Sequence, residues 1–345
     1  MIIIVGQGLA GTLVAYNLLM RNEAFIMIDE QPQFSASKVA TGLFNPINGR
    51  RMVVSRNAVE FLKKAEETYL GIEKLIGEKI YFRQNIYQLF GSIKDQNDFS
   101  RRNETPDFRH FVNSSPPKEQ HLKNEYGAFE TRQSGWVSIS LMIELFAQKM
   151  LEQNRLMTET FEYDKLLQNA DKTWQYKQIK ADKVIFCEGY KGQRNPFFNR
   201  LPIRRSKGEL LIIRCNNISK EKIIKKSIYL VHIGNGFYKA GSTYDWNAET
   251  ESPEQPARQY LAEKLDALLD CEYEITDHLA GIRAVIPDLK VAVGEHPEQK
   301  WLYVFNGLGA RGAMHAPYYA GALVQYLMDG MELPDYADVK RFWIS

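Results

Sequence analysis

Ile2-Ile3-Ile4-Val5-Gly6-Gln7-Gly8-Leu9-Ala10-Gly11 opens the chain, and Phe25-Ile26-Met27-Ile28-Asp29-Glu30 follows fourteen residues later. The first four residues are a β-branched apolar run, the signature of a strand buried on both faces. Residues 12–21 carry apolar side chains at helical spacing, and 25–28 form a second apolar run. Strand, turn, helix and strand in that order make a βαβ unit, which requires a parallel sheet. The turn itself is G-x-G-x-x-G. Gly6 permits a tight turn, Gly8 admits a diphosphate close to the backbone, and Gly11 lets helix and strand pack closely. The amides and positive end of the helix then hold the anion. Asp29, with Glu30 next to it, ends the second strand where a carboxylate bonds ribose hydroxyls and disfavours a 2′-phosphate. A dinucleotide is expected, and the turn suits NAD and FAD equally.

Working outward, 345 residues suggest about two domains. Lys plus Arg is 44 against 42 Asp plus Glu, a net charge of +2 that argues against a polyanion-wrapping protein. Apolar residues at 44% and charged residues at 25% are near the average of globular proteins, which argues against a disordered chain. No apolar run approaches the ~18 residues that span a bilayer, and the N-terminus has no basic region ahead of its apolar one. A cytoplasmic location is expected, with no membrane partner. Cys187, Cys215 and Cys271 show no C-x-x-C spacing, and the six histidines show no ligand spacing, so no metal is expected.

Further along, 35–46 reads as a loop of small residues and 56–76 as an amphipathic helix. Residues 79–138 read as antiparallel strands with long polar loops over 94–125. A helix is expected at 139–153, a buried strand at 183–187, and β structure over 201–246. A helix at 254–269 is introduced by Ser252-Pro253 as N-cap and first helical residue. Strand 301–305, a glycine turn at 307–312 and a helix at 316–328 close the chain. The fold class is α/β: a Rossmann-like dinucleotide-binding domain and an interleaved α+β substrate domain on a mainly antiparallel sheet. The expected division is 1–78, 135–200 and 281–345 for the first, and 79–134 and 201–280 for the second.

Several segments resemble the D-amino-acid-oxidase-like family of FAD-dependent oxidoreductases. They are Ser37 to Pro46, Gly135-Trp136-Val137-Ser138, Ala181 to Gly189, Pro202 to Glu209, Lys239-Ala240-Gly241-Ser242-Thr243, Leu279-Ala280-Gly281-Ile282-Arg283, and Asn306 to Gly312. Within the family the wording is similar to glycine oxidase and to the FAD oxidoreductase domain of the bifunctional tRNA methylaminomethyl-2-thiouridine modification protein. Lys38-Val39 departs from the latter, which carries Gly-Asn there. The resemblance implies non-covalent FAD and oxidation of a C–N bond in a small amino acid or secondary amine by hydride transfer to flavin N5. The alternative it implies is a tRNA-modifying oxidoreductase that removes a carboxymethyl group from a modified uridine.

The cofactor-binding candidates are Gly6, Gly8, Leu9, Ala10, Gly11, Asp29, Glu30, Ser37, Thr41, Gly42, Gly189, Gly307, Gly309, Ala310, Arg311 and Gly312. The resemblance places the substrate-carboxylate arginine at Arg283, since a guanidinium fixes a carboxylate in both distance and orientation. Arg311 is a second candidate near the same face, and Tyr244 one over the ring. Eight basic residues in 204–226 face an acidic stretch at 249–277. They read either as a tRNA-steering patch or as a solvated face, and the solvated face is preferred because no aromatic residues interleave with them. Oligomeric state and electron acceptor carry no signal in the sequence.

Overall fold

A computed structural model describes residues 1–49, 51–248 and 250–343. Ile2–Val5 is the centre of a six-stranded sheet ordered Leu156–Thr158, Phe25–Asp29, Ile2–Val5, Lys183–Phe186, Leu302–Asn306 and Ala292–Glu295. The first five strands run parallel, and Ala292–Glu295 is an antiparallel edge. Ile3, Ile4, Val184 and Ile185 are fully buried, as a sheet covered on both faces demands. Helices Leu9–Met20 and Gly312–Asp329 pack on each other over one face. A small antiparallel sheet of Leu166–Gln168, Trp174–Tyr176 and Ile179–Ala181 contributes Trp174 and Tyr176 to the cluster on the other.

The second large sheet has eight strands, ordered Glu274–Val285, Arg204–Arg214, Phe237–Gly241, Tyr229–Gly234, Ile223–Lys225, Ile86–Leu89, Ala128–Thr131 and Val112–Asn113. All its pairings are antiparallel except that of Ile223–Lys225 with Ile86–Leu89. The α/β class with a parallel βαβ core and a mainly antiparallel second sheet is thus the observed architecture. Residue 281 lies inside Glu274–Val285, which pairs along its length with Arg204–Arg214.

Four local expectations are corrected. The polar stretch 94–125 contains helices Ile93–Asn103 and Pro106–His110 rather than loops alone. The Ser92 hydroxyl caps the first by accepting the Asp95 amide, and Phe99 and Phe108 bury against Phe129, so a few aromatics anchor otherwise polar helices. Within 35–46, Ala36–Val39 forms one helical turn capped by Ser35. Helix Gln255–Asp266 starts after Glu254, with Pro256 in its first turn, three residues beyond the expected cap at Ser252. The last helix begins at Gly312 instead of 316 and carries Pro317 inside it, where the Ala313 carbonyl left without the Pro317 N–H accepts from the Tyr69 hydroxyl at 2.8 Å.

Candidate active site

A cavity of about 1500 Å³ runs between the two large sheets. At one end lies the glycine turn. Gly6 has φ +98°, and a Cβ there would stand 2.5 Å from the Cys187 carbonyl oxygen. A Cβ on Gly11 would stand 1.8 Å from the Gly6 carbonyl oxygen, so strand, turn and helix meet at distances that glycine alone allows. Gly8, Leu9 and Ala10 face the cavity, while Gly11 packs behind them. Leu9 N–H donates to Ser37 Oγ at 3.0 Å, which brings the second segment onto the first. Ser37, Thr41 and Gly42 all line the cavity.

Asp29 holds the turn as well as facing the cavity. Its carboxylate accepts the Gln7 amide at 2.7 Å and the Gln31 amide at 2.7 Å. Gln7 in turn donates from Nε2 to Ile143 O at 2.9 Å, and so ties the turn to helix Ile139–Glu152. Glu30 pairs with Lys191 and accepts from Thr160, and the lysine contact, the larger cause, holds its carboxyl below the usual range. Gly189 lines the same end, where Asn306 Nδ2 donates to its carbonyl at 2.8 Å.

The opposite wall is the eight-stranded sheet. Arg283 stands on Glu274–Val285 opposite Ser206, with Gly281 opposite Gly208 two residues before it on the same face. A Cβ on Gly208 would lie 2.0 Å from Arg283 Nη2, so the guanidinium rests on bare backbone. Nη2 donates to Ser242 Oγ at 2.7 Å and Nη1 to the Thr243 carbonyl at 3.3 Å. Neither acceptor is charged, and among the described residues no carboxylate pairs with Arg283. Burial lowers its pKa from the ordinary arginine range, and a guanidinium is basic enough to stay protonated. Tyr244 lies over the guanidinium, 4.5 Å from its ring centroid, and is exposed on the other side.

Gly309, Ala310, Arg311 and Gly312 line the cavity beside Arg283, and the turn delivers the first amides of helix Gly312–Asp329 into it. Gly307 does not reach the main cavity. It lines an adjoining cleft of about 320 Å³ together with Arg283, Tyr244, Arg311 and His315. Arg311 Nη2 contacts the Leu289 carbonyl at 3.4 Å. His315, one turn on, packs on Phe61, and burial with the Arg311 charge lowers its pKa to about 4, so it is neutral at physiological pH.

Sequence reasoning missed the parts that hold these candidates in place. Lys239 reaches across from the eight-stranded sheet and donates to the Val39 and Ala40 carbonyls at 3.2 and 2.8 Å; burial brings its pKa down to about 8. Gly208 was visible only as part of a motif, since the need for glycine comes from Arg283 on the neighbouring strand.

Three of the eight basic residues are spent in internal ion pairs. Lys207, fully buried, pairs with Glu209 and Glu254, and Lys222 pairs with Glu119 and Glu130. Arg205 lies 3.9 Å from Glu251. The acidic stretch 249–277 supplies Glu251 and Glu254 to these pairs, and Glu119, Glu130 and Glu209 come from elsewhere; its first residue, Glu249, lies outside the described residues.

A dinucleotide with a flavin ring fits this arrangement: a glycine cradle, a long cavity, and a second helix N-terminus beside the first, where a Cβ on Gly312 would stand 3.0 Å from Leu9 Cδ2. The family model described as FAD dependent oxidoreductase matches residues 1–326. The chain belongs to this FAD-dependent oxidoreductase family. Solved structures agree on the fold. Glycine oxidase from Geobacillus kaustophilus superposes with a TM-score of 0.82 at 18% identity, covering 99% of this chain and 97% of that one. Iminodiacetate oxidase from Chelativorans sp. BNC1 gives 0.81 at 17% identity, covering 98% of each chain. L-proline dehydrogenase from P. horikoshii gives 0.74 at 18% identity, covering 99% and 96%. No helix among the described residues is long and apolar enough to cross a membrane.

Proposed function

We propose that this FAD-dependent oxidoreductase oxidises the C–N bond of a small amino acid or secondary amine whose carboxylate is bound by Arg283. The observation that carries this is the guanidinium itself: drawn out of solvent at the cavity wall, hydrogen-bonded to two neutral oxygens, and without an acidic partner among the described residues. A buried cation of this kind needs an anion, and a guanidinium retains donors for a bidentate carboxylate. The names of the similar structures, glycine oxidase, iminodiacetate oxidase and L-proline dehydrogenase, agree with an amine that carries a carboxylate.

In this reading the six-stranded sheet carries the cofactor and the eight-stranded sheet the substrate. Gly6, Gly8, Leu9 and Ala10 hold the diphosphate while Gly11 lets the turn pack behind them, Asp29 holds the ribose, and Ser37, Thr41, Gly42 and residues 308–312 the ring. When bound, FAD supplies the two-electron acceptor. Arg283 fixes the substrate's distance and orientation, Tyr244 shields the guanidinium from water, and Arg311 adds positive charge at the same wall. FAD is held without a covalent bond: Cys187 is the one cysteine lining the cavity, and burial pushes its thiol far above the usual range, where it is a poor nucleophile. Of the eight basic residues that would steer tRNA, Arg205, Lys207 and Lys222 are taken up by internal ion pairs, and no aromatic residues interleave with the others, so the small-molecule reading is preferred over the tRNA one.

The test is turnover. Holoenzyme with a dye acceptor is offered glycine, N-methylglycine, proline, and both alanine enantiomers. Reduction of the dye with release of a keto or aldehyde acid supports the reading. Turnover of amines lacking a carboxylate, with none for those bearing one, overturns it.

A further inference from the structure

We propose that the substrate carries a second anionic group, a carboxylate, bound by Lys225 at the end of the cavity away from Arg283. This rests on the reading that Arg283 holds the first carboxylate. The register of the eight-stranded sheet sets one row of residues against the cavity. Lys225 pairs with Tyr229, Tyr229 with Gly241, Gly241 with Leu210, and Leu210 with Leu279, which shares its face with Gly281 and Arg283. Lys225, Tyr229, Gly241, Leu210, Gly281 and Arg283 all line the cavity. The strands of the two cations are four inter-strand steps apart, about 19 Å, and Arg283 lies four residues along its strand from Leu279, about 13 Å more at right angles; two long side chains, with the Arg283 guanidinium resting over Gly208 on the side of Lys225, close much of that span.

Lys225 is only 9% exposed, and its ammonium sits 5.1 Å from the Tyr229 ring centroid. Among the described residues no carboxylate stands within ion-pair distance of it and no hydrogen bond to its ammonium is formed. Its neighbours in sequence behave differently. Lys222 has two glutamates, and Lys226 donates to the Ala267 carbonyl at 3.2 Å. Lys226 and Lys264 line the same end of the cavity, so its charge is positive. The acid there, Asp95, already accepts the Gly91 amide at 2.9 Å. The lysine stem is buried while its ammonium opens on the cavity with no anionic partner, and a substrate carboxylate there supplies one. The tyrosine face beneath it favours the ammonium but leaves its three donors unused.

The experiment compares matched pairs on the holoenzyme: N-carboxymethylglycine against N-methylglycine, and both enantiomers of aspartate and glutamate against alanine and 2-aminobutyrate. The proposal expects kcat/KM for at least one diacid to exceed its matched monoacid tenfold or more. Lys225→Met should cut that ratio at least tenfold, and Lys225→Arg should preserve most of it. A second readout is calorimetric binding of glutarate against butyrate, where the preference for glutarate should fall with Lys225→Met. No diacid preference in any pair, or a preference unchanged in Lys225→Met, overturns the proposal while oxidation of monoacids leaves the proposed function standing. Weakened FAD binding by Lys225→Met, with the diacid ratio intact, likewise overturns it by assigning the lysine to the cofactor. Failure of every amino acid and amine to react overturns both.

Discussion

Arg283 owes its position to its neighbours more than to itself. It is held flat by the missing side chain of Gly208, oriented by Ser242 Oγ and the Thr243 carbonyl, and covered by Tyr244. Removing one partner of a buried charged pair costs about 2–5 kcal/mol, roughly 30-fold to several thousand-fold in kcat/KM. Arg283→Ala should show a loss of that size for carboxylate-bearing amines with flavin content retained. Arg283→Lys should recover part of it, since a lysine offers charge without the planar fork. Retained kcat/KM in Arg283→Ala, measured by steady-state kinetics, contradicts the assigned role. The identity of this arginine was legible in the sequence through its motif. Its lack of a counter-ion was not, because ion pairing is decided by residues 40 or more positions away.

At the scale of elements, the βαβ opening was fully legible: an apolar run, a glycine turn and a second apolar run leave one arrangement, and the structure has it. Elements that depend on tertiary anchoring were not legible. Helices Ile93–Asn103 and Pro106–His110 have largely polar surfaces, and the phenylalanines that hold them find their partners on a strand of the eight-stranded sheet. Similarly, the pairing of Gly208 with Gly281 joins residues far apart in the chain. Gly208→Ala tests that pairing. Its Cβ must displace the guanidinium 2.0 Å away, so kcat/KM should fall toward the Arg283→Ala value, with about 1–3 kcal/mol of lost stability from overpacking. Wild-type kinetics in Gly208→Ala would show that Arg283 needs no such seat.

Across the whole molecule, Lys239 ties the eight-stranded sheet to the Ala36–Val39 turn that lines the cofactor end of the cavity. Its pKa of about 8 lies below the ordinary lysine value near 10.5, so between the two the unfolded chain binds more protons than the folded one. Stability should therefore rise with pH from about 8 to about 10.5, and Lys239→Met should flatten that rise. The same variant leaves two half-buried carbonyls without their lysine donor, at up to about 1 kcal/mol each, and should weaken FAD retention; both effects are read by thermal denaturation across pH and by flavin content. The two large sheets each draw strands from both halves of the chain. The central claim is that amines bearing a carboxylate are oxidised in the cavity between those sheets. Anaerobic titration of the flavin absorbance of the purified holoenzyme tests it most directly. Bleaching near 450 nm on addition of a small amino acid or N-alkyl glycine, lost in Arg283→Ala, is the predicted result; no bleaching with any such amine, while dithionite still bleaches the flavin, would contradict it.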